Sequence, residues 1–112
     1  MKNIKRLFQR GPSAKKVLEK LGEIETEMKG IGLWQSEPLT PEQYQFHAAF
    51  AMDTMSFSQW LQFIFIPKVK EAAKANQFPA KSQVGVQAVR EYDTVPDASH
   101  LVTLLSEFDS LF

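Results

Sequence analysis

Apolar residues recur at helical spacing in three parts of the chain. No stretch shows the sustained alternation of a half-buried strand. The pattern therefore predicts an all-α fold, a single-domain bundle of about four helices of the up-down type, with a long central helix that contains Pro67. The three apolar sets are Val17, Leu18, Leu21, Ile24 and Met28; Trp60, Leu61, Ile64, Phe65 and Val69; and Leu101, Leu104, Leu105, Phe108, Leu111 and Phe112.

Polar residues that cap helices stand ahead of these apolar sets. Ser13 is placed to begin the first helix, and Gly30 with Gly32 to end it. Ser56 and Gln59 form a capping box, which predicts a central helix from Phe57 to about Ala75. The ring of Pro67 removes one main-chain donor inside this helix, so we expect a kink there. Asp97 is the expected cap of the last helix.

Three segments allow two interpretations each. Residues 3–10 are either a short helix or a frayed arm, because Gly11-Pro12 follows them. The Thr40-Pro41 start with Gln43 favours a short helix through about Ala51, but the rings beyond it also suit a packed irregular loop. Residues 83–90 can form a short helix or an extended piece.

The size and composition of the chain bound its function. A chain of 112 residues with 44% hydrophobic content suits one domain, which we divide into a basic N-terminal arm or short helix at 1–12 and a helical domain at 13–112. It has no cysteine, which excludes disulfides and cysteine-ligated metal, and no apolar run approaches the length of a membrane span. No export signal is recognisable, so we expect a cytoplasmic protein without membrane contact.

Charge is distributed unevenly although the net charge is zero. Residues 1–20 contain seven Lys or Arg and one acid, whereas residues 93–112 contain four acids and no Lys or Arg. The basic part could contact nucleic acid, or it could pair with the acidic end of the same chain. The candidate RNA contacts are Lys2, Lys5, Arg6, Arg10, Lys15 and Lys16.

The pair Asp53-Thr54 ahead of Trp60 is the first candidate for chemistry. Asp53 could be a general base or a binding carboxylate, but either residue could instead accept free main-chain donors at the start of the helix. No second acid–base group accompanies Asp53, and neither His47 nor His100 stands in a ligand-spaced cluster. We therefore predict no enzyme activity, no cofactor and no metal.

Aromatic residues crowd into the middle third of the chain. They predict either a core of large side chains or a surface that binds a partner. A helix that is apolar all round near Trp60 offers more surface than one short bundle covers, which favours an unknown protein partner or a homodimer. A small-molecule pocket with Asp53 and Gln62 as polar groups is a third possibility. The candidate binding surface comprises Trp34, Phe46, Phe50, Asp53, Thr54, Met55, Trp60 and Gln62.

These residues form a pattern that resembles a known family, the small bacterial YqcC-like proteins, over residues 14–112. The resemblance rests on Trp34, Glu37-Pro38, Phe46, Phe50, Met52-Asp53-Thr54-Met55, Trp60-Leu61-Gln62 and Ile66-Pro67. The chain departs from the family in its basic extension before Ser13, and at Ser56-Phe57, where an acid followed by proline is expected.

The resemblance implies an all-α bundle of about four helices without an established activity. The family is labelled by association with tRNA pseudouridine synthase C, which implies at most an accessory role in tRNA modification. The residues around Asp53 do not match the catalytic Arg-Leu-Asp setting of such synthases.

Overall fold

Helices and turns make up the ordered elements of the computed structural model, which describes residues 12–112. The first helix, α1, is Ala14–Gly30. The second, α2, is continuous over 57–75 and consists of Phe57–Trp60, a π-helical turn at Leu61–Phe65, and Ile66–Ala75. Helix α3 is Val84–Glu91 and α4 is Ser99–Asp109. No strand occurs within residues 12–112, so the predicted all-α bundle of four helices is confirmed.

Helix α1 begins and ends at the residues that the sequence indicates. The Lys16 amide donates to the Ser13 hydroxyl at 3.4 Å, which caps the first turn. At the other end Gly32 has a φ of +79°, a conformation that glycine adopts without strain. The turn lets the Leu33 amide donate to the Met28 carbonyl at 2.8 Å, so the last turn of α1 is closed.

Helix α2 begins at the predicted capping box. The Gln59 amide donates to Ser56 Oγ at 3.1 Å, and the Ser56 amide donates to Gln59 Oε1 at 2.9 Å. The helix continues through Pro67 to Ala75. Ahead of Pro67 the hydrogen bonding changes, because the Ile66 amide donates to Leu61, five residues back, in the π turn.

The connection between α1 and α2 contains only two short 3₁₀ turns, Pro41–Tyr44 and Ala49–Ala51. A helix through Ala51 is therefore wrong, and the packed irregular loop is the better description. Phe50 and Ala51 both have positive φ, 56° and 54°. That region is unfavourable for a bulky residue, and it ends the second turn instead of letting it continue into a helix.

The open question about residues 83–90 is settled in favour of a helix, α3. The expected cap of the last helix is wrong: α4 begins after Ala98 without a side-chain cap, and Asp97 lies in a preceding 3₁₀ turn, Pro96–Ala98. Pro96 fixes the backbone angle at the start of that turn, and the chain passes from it directly into α4.

Two apolar clusters form the interior. The larger lies between α1, α2, α3 and α4, and the smaller comprises Leu39, Ala51, Met55 and Ile64 under the 31–56 loop. The Trp60 side chain packs against both. On the surface Lys20 Nζ of α1 lies 2.8 Å from Glu107 Oε1 of α4, so the basic and acidic ends of the chain do attract each other at this position.

Candidate functional site

The π turn in α2 places two aromatic rings on the same side of the helix. Residues five apart in an α-helix point about 140° away from each other. Trp60 and Phe65 instead stack at a centroid distance of 5.4 Å with an interplanar angle of 30°. Because the turn closes over five residues rather than four, the two rings line one wall.

A groove of about 250 Å³ opens beside these rings. Phe65 and Phe108 are buried at its floor, and their rings meet edge to face at 5.0 Å. Phe78 and Phe112 also line it, with ring centroids 5.8 Å apart. We call this space the Trp60 groove; it is lined by Trp60, Phe65, Lys68, Val69, Ala72, Phe78, Pro79, Lys81, Ser82, Phe108 and Phe112.

Three polar side chains stand at the Trp60 groove. Lys68 and Lys81 are exposed, whereas Ser82 is half-buried and its hydroxyl donates to Asp109 Oδ1 at 2.6 Å. The same carboxylate accepts from the amides of Val84 and Gly85, so Asp109 holds the start of α3. The groove therefore offers an apolar interior and two ammonium groups at its edge.

Asp53 lies outside the Trp60 groove and accepts main-chain hydrogen bonds. Its carboxylate oxygens accept from the amides of His47 at 2.9 Å and Ala48 at 3.2 Å. The His47 amide is the main reason that the pKa of the Asp53 carboxyl lies below its usual 3.8. Asp53 therefore accepts main-chain hydrogen bonds, as the capping interpretation of the sequence expects. The donors, however, are amides of the preceding loop and not those at the start of α2.

Thr54 also forms hydrogen bonds within the loop. Its hydroxyl donates to the Gln43 carbonyl at 2.6 Å, and the Gln43 side chain donates to the Thr54 carbonyl at 3.2 Å. Gln43 Oε1 in addition accepts from the Thr40 amide at 3.0 Å. The pair Asp53-Thr54 therefore ties the 3₁₀ turns to the segment that leads into α2.

Gln62 is a buried polar side chain, 8% exposed, and it lies in the π turn. Its amide oxygen accepts from the Gln35 main-chain N–H at 3.0 Å, and its amide nitrogen donates to the Gln35 carbonyl at 2.8 Å. This two-bond clamp fixes the 31–40 segment against α2. Both polar groups of the Gln62 side chain are hydrogen-bonded inside the protein.

The other predicted surface residues lie apart from the Trp60 groove. Trp34 packs on the larger cluster beneath the Lys29 ammonium, which stands 5.1 Å from its ring centroid. Phe46 and Met55 belong to the smaller cluster, and Phe50 meets Trp60 edge to face at 4.9 Å. Trp60 alone of the eight predicted residues lines the groove.

The predicted RNA contacts are only partly described. Lys2, Lys5, Arg6 and Arg10 lie outside the described residues. Lys15 and Lys16 are exposed in the first turn of α1. Contact with RNA at these residues stays a prediction.

Sequence reasoning missed most of the residues that line the groove. Phe78-Pro79 stands in a segment without helical periodicity, so no pattern linked it to Trp60. A large ring beside proline in an otherwise polar stretch was the one available signal. Phe112 was assigned only to the apolar stripe of the last helix, and Lys68 and Lys81 had no distinguishing context.

Neither a metal-ligand cluster nor a membrane-spanning helix occurs within residues 12–112. No three His, Cys, Asp or Glu side chains there approach closely enough to hold a metal ion. No helix in that part of the chain combines the length and the apolar character that crossing a bilayer requires.

The fold and the groove define the class: a small all-α protein with an aromatic groove between its second helix and the 76–83 segment. The chain belongs to the family described as tRNA pseudouridine synthase C, whose model matches residues 16–111. This match confirms the resemblance to the family.

One relative is an uncharacterized protein of Haemophilus influenzae (strain Rd), 36% identical over 50 residues. That match spans 45% of this chain and 47% of the relative, about half the length of each. No solved structure shows significant similarity to the chain.

Proposed function

We propose that this protein is a non-catalytic binding module that accepts a large apolar side chain of a partner protein in the Trp60 groove. The observation that carries the proposal is the groove itself, an opening walled by Trp60, Phe78 and Phe112. Anchors of protein–protein interfaces are typically single large side chains that fill such pockets.

The size of the groove favours a side chain over a free metabolite. Sites for drug-sized ligands and cofactors usually measure about 300–1,000 Å³ and enclose most of the ligand. The Trp60 groove, at about 250 Å³, lies below that range and is partly open to solvent. A single aromatic or long aliphatic side chain, presented by a larger molecule that stays outside, matches this volume and shape.

The chemistry of the lining favours binding over catalysis. Its polar side chains are those of Lys68, Lys81 and Ser82, and the Ser82 hydroxyl donates to Asp109. Serine chemistry needs a neighbouring base that takes the proton from the hydroxyl, whereas Asp109 is also bound to two main-chain amides. Among the residues that the structure describes, the lining includes no His, Asp or Glu side chain that could serve as a general acid or base.

Site-specific photo-crosslinking in cells tests the proposal. A benzophenone amino acid at position 81, at the edge of the groove, should form an adduct with one defined protein. The matched control is the same amino acid at position 74, an exposed lysine of α2 that does not line the groove. Filling the groove by Ala72→Trp should abolish the adduct, because the indole would occupy the space of the anchor.

The outcomes of this experiment separate cleanly. An adduct at position 81 that Ala72→Trp removes, and that position 74 does not give, supports the groove. Equal adducts at both positions, or an adduct that survives the filled groove, would show that the partner binds elsewhere. An adduct with a second copy of this chain would show that the protein self-associates.

A second candidate function follows from the description of the family. It names a tRNA pseudouridine synthase, and the basic residues Lys15 and Lys16 are exposed at the start of α1. An accessory factor in tRNA modification would use such residues, together with those at 1–12, on the phosphate backbone. Retention on immobilised tRNA that weakens steeply with salt, and is lost on deletion of residues 1–12, would select this function.

A further inference from the structure

The two lysines at the Trp60 groove define what kind of segment can bind there. Lys68 belongs to α2, and Lys81 follows the Phe78-Pro79 segment; both line the groove. Both side chains are exposed, and among residues 12–112 neither ammonium takes part in an ion pair. By contrast, Lys20, Lys29 and Lys70 each lie within 4.0 Å of a carboxylate.

Among residues 12–112, no Asp or Glu side chain in the lining balances these two ammonium groups. The nearby Asp109 carboxylate does not line the groove; it accepts hydrogen bonds from Ser82, Val84 and Gly85 and is directed toward the start of α3. The Trp60 groove therefore combines an apolar interior with an edge of one sign. Complementary potentials across an interface favour partners of opposite charge and suppress those of like charge.

We propose that the partner segment is acidic: a short peptide stretch with one aromatic or long aliphatic anchor, flanked by Asp or Glu residues that face Lys68 and Lys81. This inference rests on the proposed function, since it names the partner chemistry of the same groove. The anchor fills the space between Trp60 and Phe78, and the flanking carboxylates pair with the two ammonium groups at the edge.

The charge argument also disfavours the basic end of this chain as the occupant. Residues 1–12 carry four cations and no acid, so they would bring like charge to Lys68 and Lys81. A second copy of the chain could offer acids from residues 93–112, and a small amphipathic acid could offer a single carboxylate. Both are distinguishable from an acidic peptide by the experiment below.

Peptide titration tests the inference, with Trp60 as the reporter. The chain has two tryptophans, so the Trp34→Phe variant leaves Trp60 as its only indole. The probe is the acetylated, amidated peptide Glu-Glu-Ala-Phe-Ala-Glu-Glu. The comparison peptides replace every Glu by Gln, replace every Glu by Lys, or replace Phe by Ala. Indole fluorescence and the Trp60 indole NMR signal give the dissociation constants.

We expect the acidic Phe peptide to bind about threefold to tenfold more tightly than the Gln peptide, as two exposed ion pairs would give. Among the three peptides that contain Phe, the Lys peptide should bind most weakly, and the Ala peptide should leave the Trp60 signals unchanged. The variant Lys68→Gln/Lys81→Gln should bind the acidic and Gln peptides equally. The control Lys16→Gln/Lys74→Gln removes the same charge at positions away from the groove and should retain the preference.

Each contrary result has a distinct meaning. Equal binding of the acidic and Gln peptides by the parent chain would overturn this inference and leave the proposed function intact. Failure of every Phe peptide to bind would overturn the inference, with the crosslinking experiment deciding the groove itself. Saturable binding of decanoate without peptide binding would identify a small amphipathic acid instead. If the solution mass of the protein rises with its concentration and falls in Lys68→Gln/Lys81→Gln, the occupant is a second copy of this chain. Either of these last two results overturns the proposal that the partner is an acidic peptide.

Discussion

The Asp109 carboxylate, at the end of α4, accepts a 2.8 Å hydrogen bond from the Gly85 amide in the first turn of α3. An acid at the C-terminal end of its own helix is unfavourable, but here it faces the N-terminal end of a neighbouring one. Helix α3 has only eight residues and no side-chain cap of its own. Asp109 therefore supplies from a distance the acceptor that α3 lacks.

Replacing Asp109 tests this long-range cap. Asp109→Ala removes the acceptor of three donors, so we expect the free energy of unfolding to fall by about 1–3 kcal/mol. Urea unfolding followed by circular dichroism measures it. The control is Asp93→Ala, an exposed acid whose carboxylate has no hydrogen bond among the described residues; it should change stability by less than about 0.5 kcal/mol. Equal effects of the two variants would contradict the cap.

Two glycines should respond to alanine in opposite directions. A Cβ on Gly85 would lie 2.7 Å from Ser106 Cα, a main-chain atom that cannot move aside, so Gly85→Ala should destabilise the protein by about 1–3 kcal/mol. Gly22, within α1, has open space around it, so Gly22→Ala should stabilise by about 0.5–1 kcal/mol. Thermal unfolding of both variants measures the contrast, and a stabilised Gly85→Ala protein would refute the close approach of α3 and α4.

The Gln62 clamp predicts a local effect on hydrogen exchange. Gln62→Leu keeps an apolar stem of similar size but leaves the Gln35 N–H and carbonyl without partners, which should destabilise by about 1–3 kcal/mol. The Gln35 amide should then exchange faster, because the 31–40 segment detaches from α2. Gln77→Leu, at an exposed position after α2, is the control. Unchanged protection of the Gln35 amide in Gln62→Leu would argue against the clamp.

The lowered pKa of Asp53 predicts that the stability of the protein depends on pH. Its folded-state pKa is lowered, chiefly by the His47 amide, so its contribution is complete above the unfolded-state value near 3.8. That contribution is lost as the pH falls through the lower folded-state pKa. Urea unfolding at a series of pH values should therefore show a smaller loss of stability below pH 3.8 in Asp53→Asn than in the parent chain.

The sign of this effect is the decisive point. If Asp53→Asn instead steepened the acid-induced loss, the carboxyl would have a raised pKa. The bonds to the His47 and Ala48 amides would then not describe the protein in solution. Asp97→Asn provides the control, since Asp97 lies exposed in the 3₁₀ turn before α4.

Local signals in the sequence predicted most of the fold. The capping hydrogen bonds of Ser13 and of Ser56 with Gln59 join residues only three apart in sequence. The apolar stripes of α1 and α4 follow from helical periodicity alone. Asp97 failed as a cap because Pro96 starts a 3₁₀ turn earlier and carries the chain past the expected position. Whether a carboxylate accepts from its own helix or from a distant one, as Asp109 does, depends on tertiary packing.

The candidate site could be predicted only at Trp60. The Trp60 groove brings α2 and the segment after it together with the end of α4, which is far from both in sequence and shares no pattern with them. Gln62 looked like a possible ligand group because sequence alone does not show that the Gln35 main chain lies against it. The alignment of Trp60 with Phe65 depends on a π turn, which helical periodicity does not predict.

That π turn makes the number of residues in α2 as important as their identity. Each residue of an α-helix advances the chain by about 100° around the axis. Deleting one of residues 61–64 would restore a regular hydrogen-bond ladder and leave the indole four residues from Phe65, about 40° around the axis, so the two rings would still share one face. The π turn therefore lets α2 hold one residue more than a regular helix while it keeps its aromatic wall, a relation between length and hydrogen bonding that no single side chain reveals.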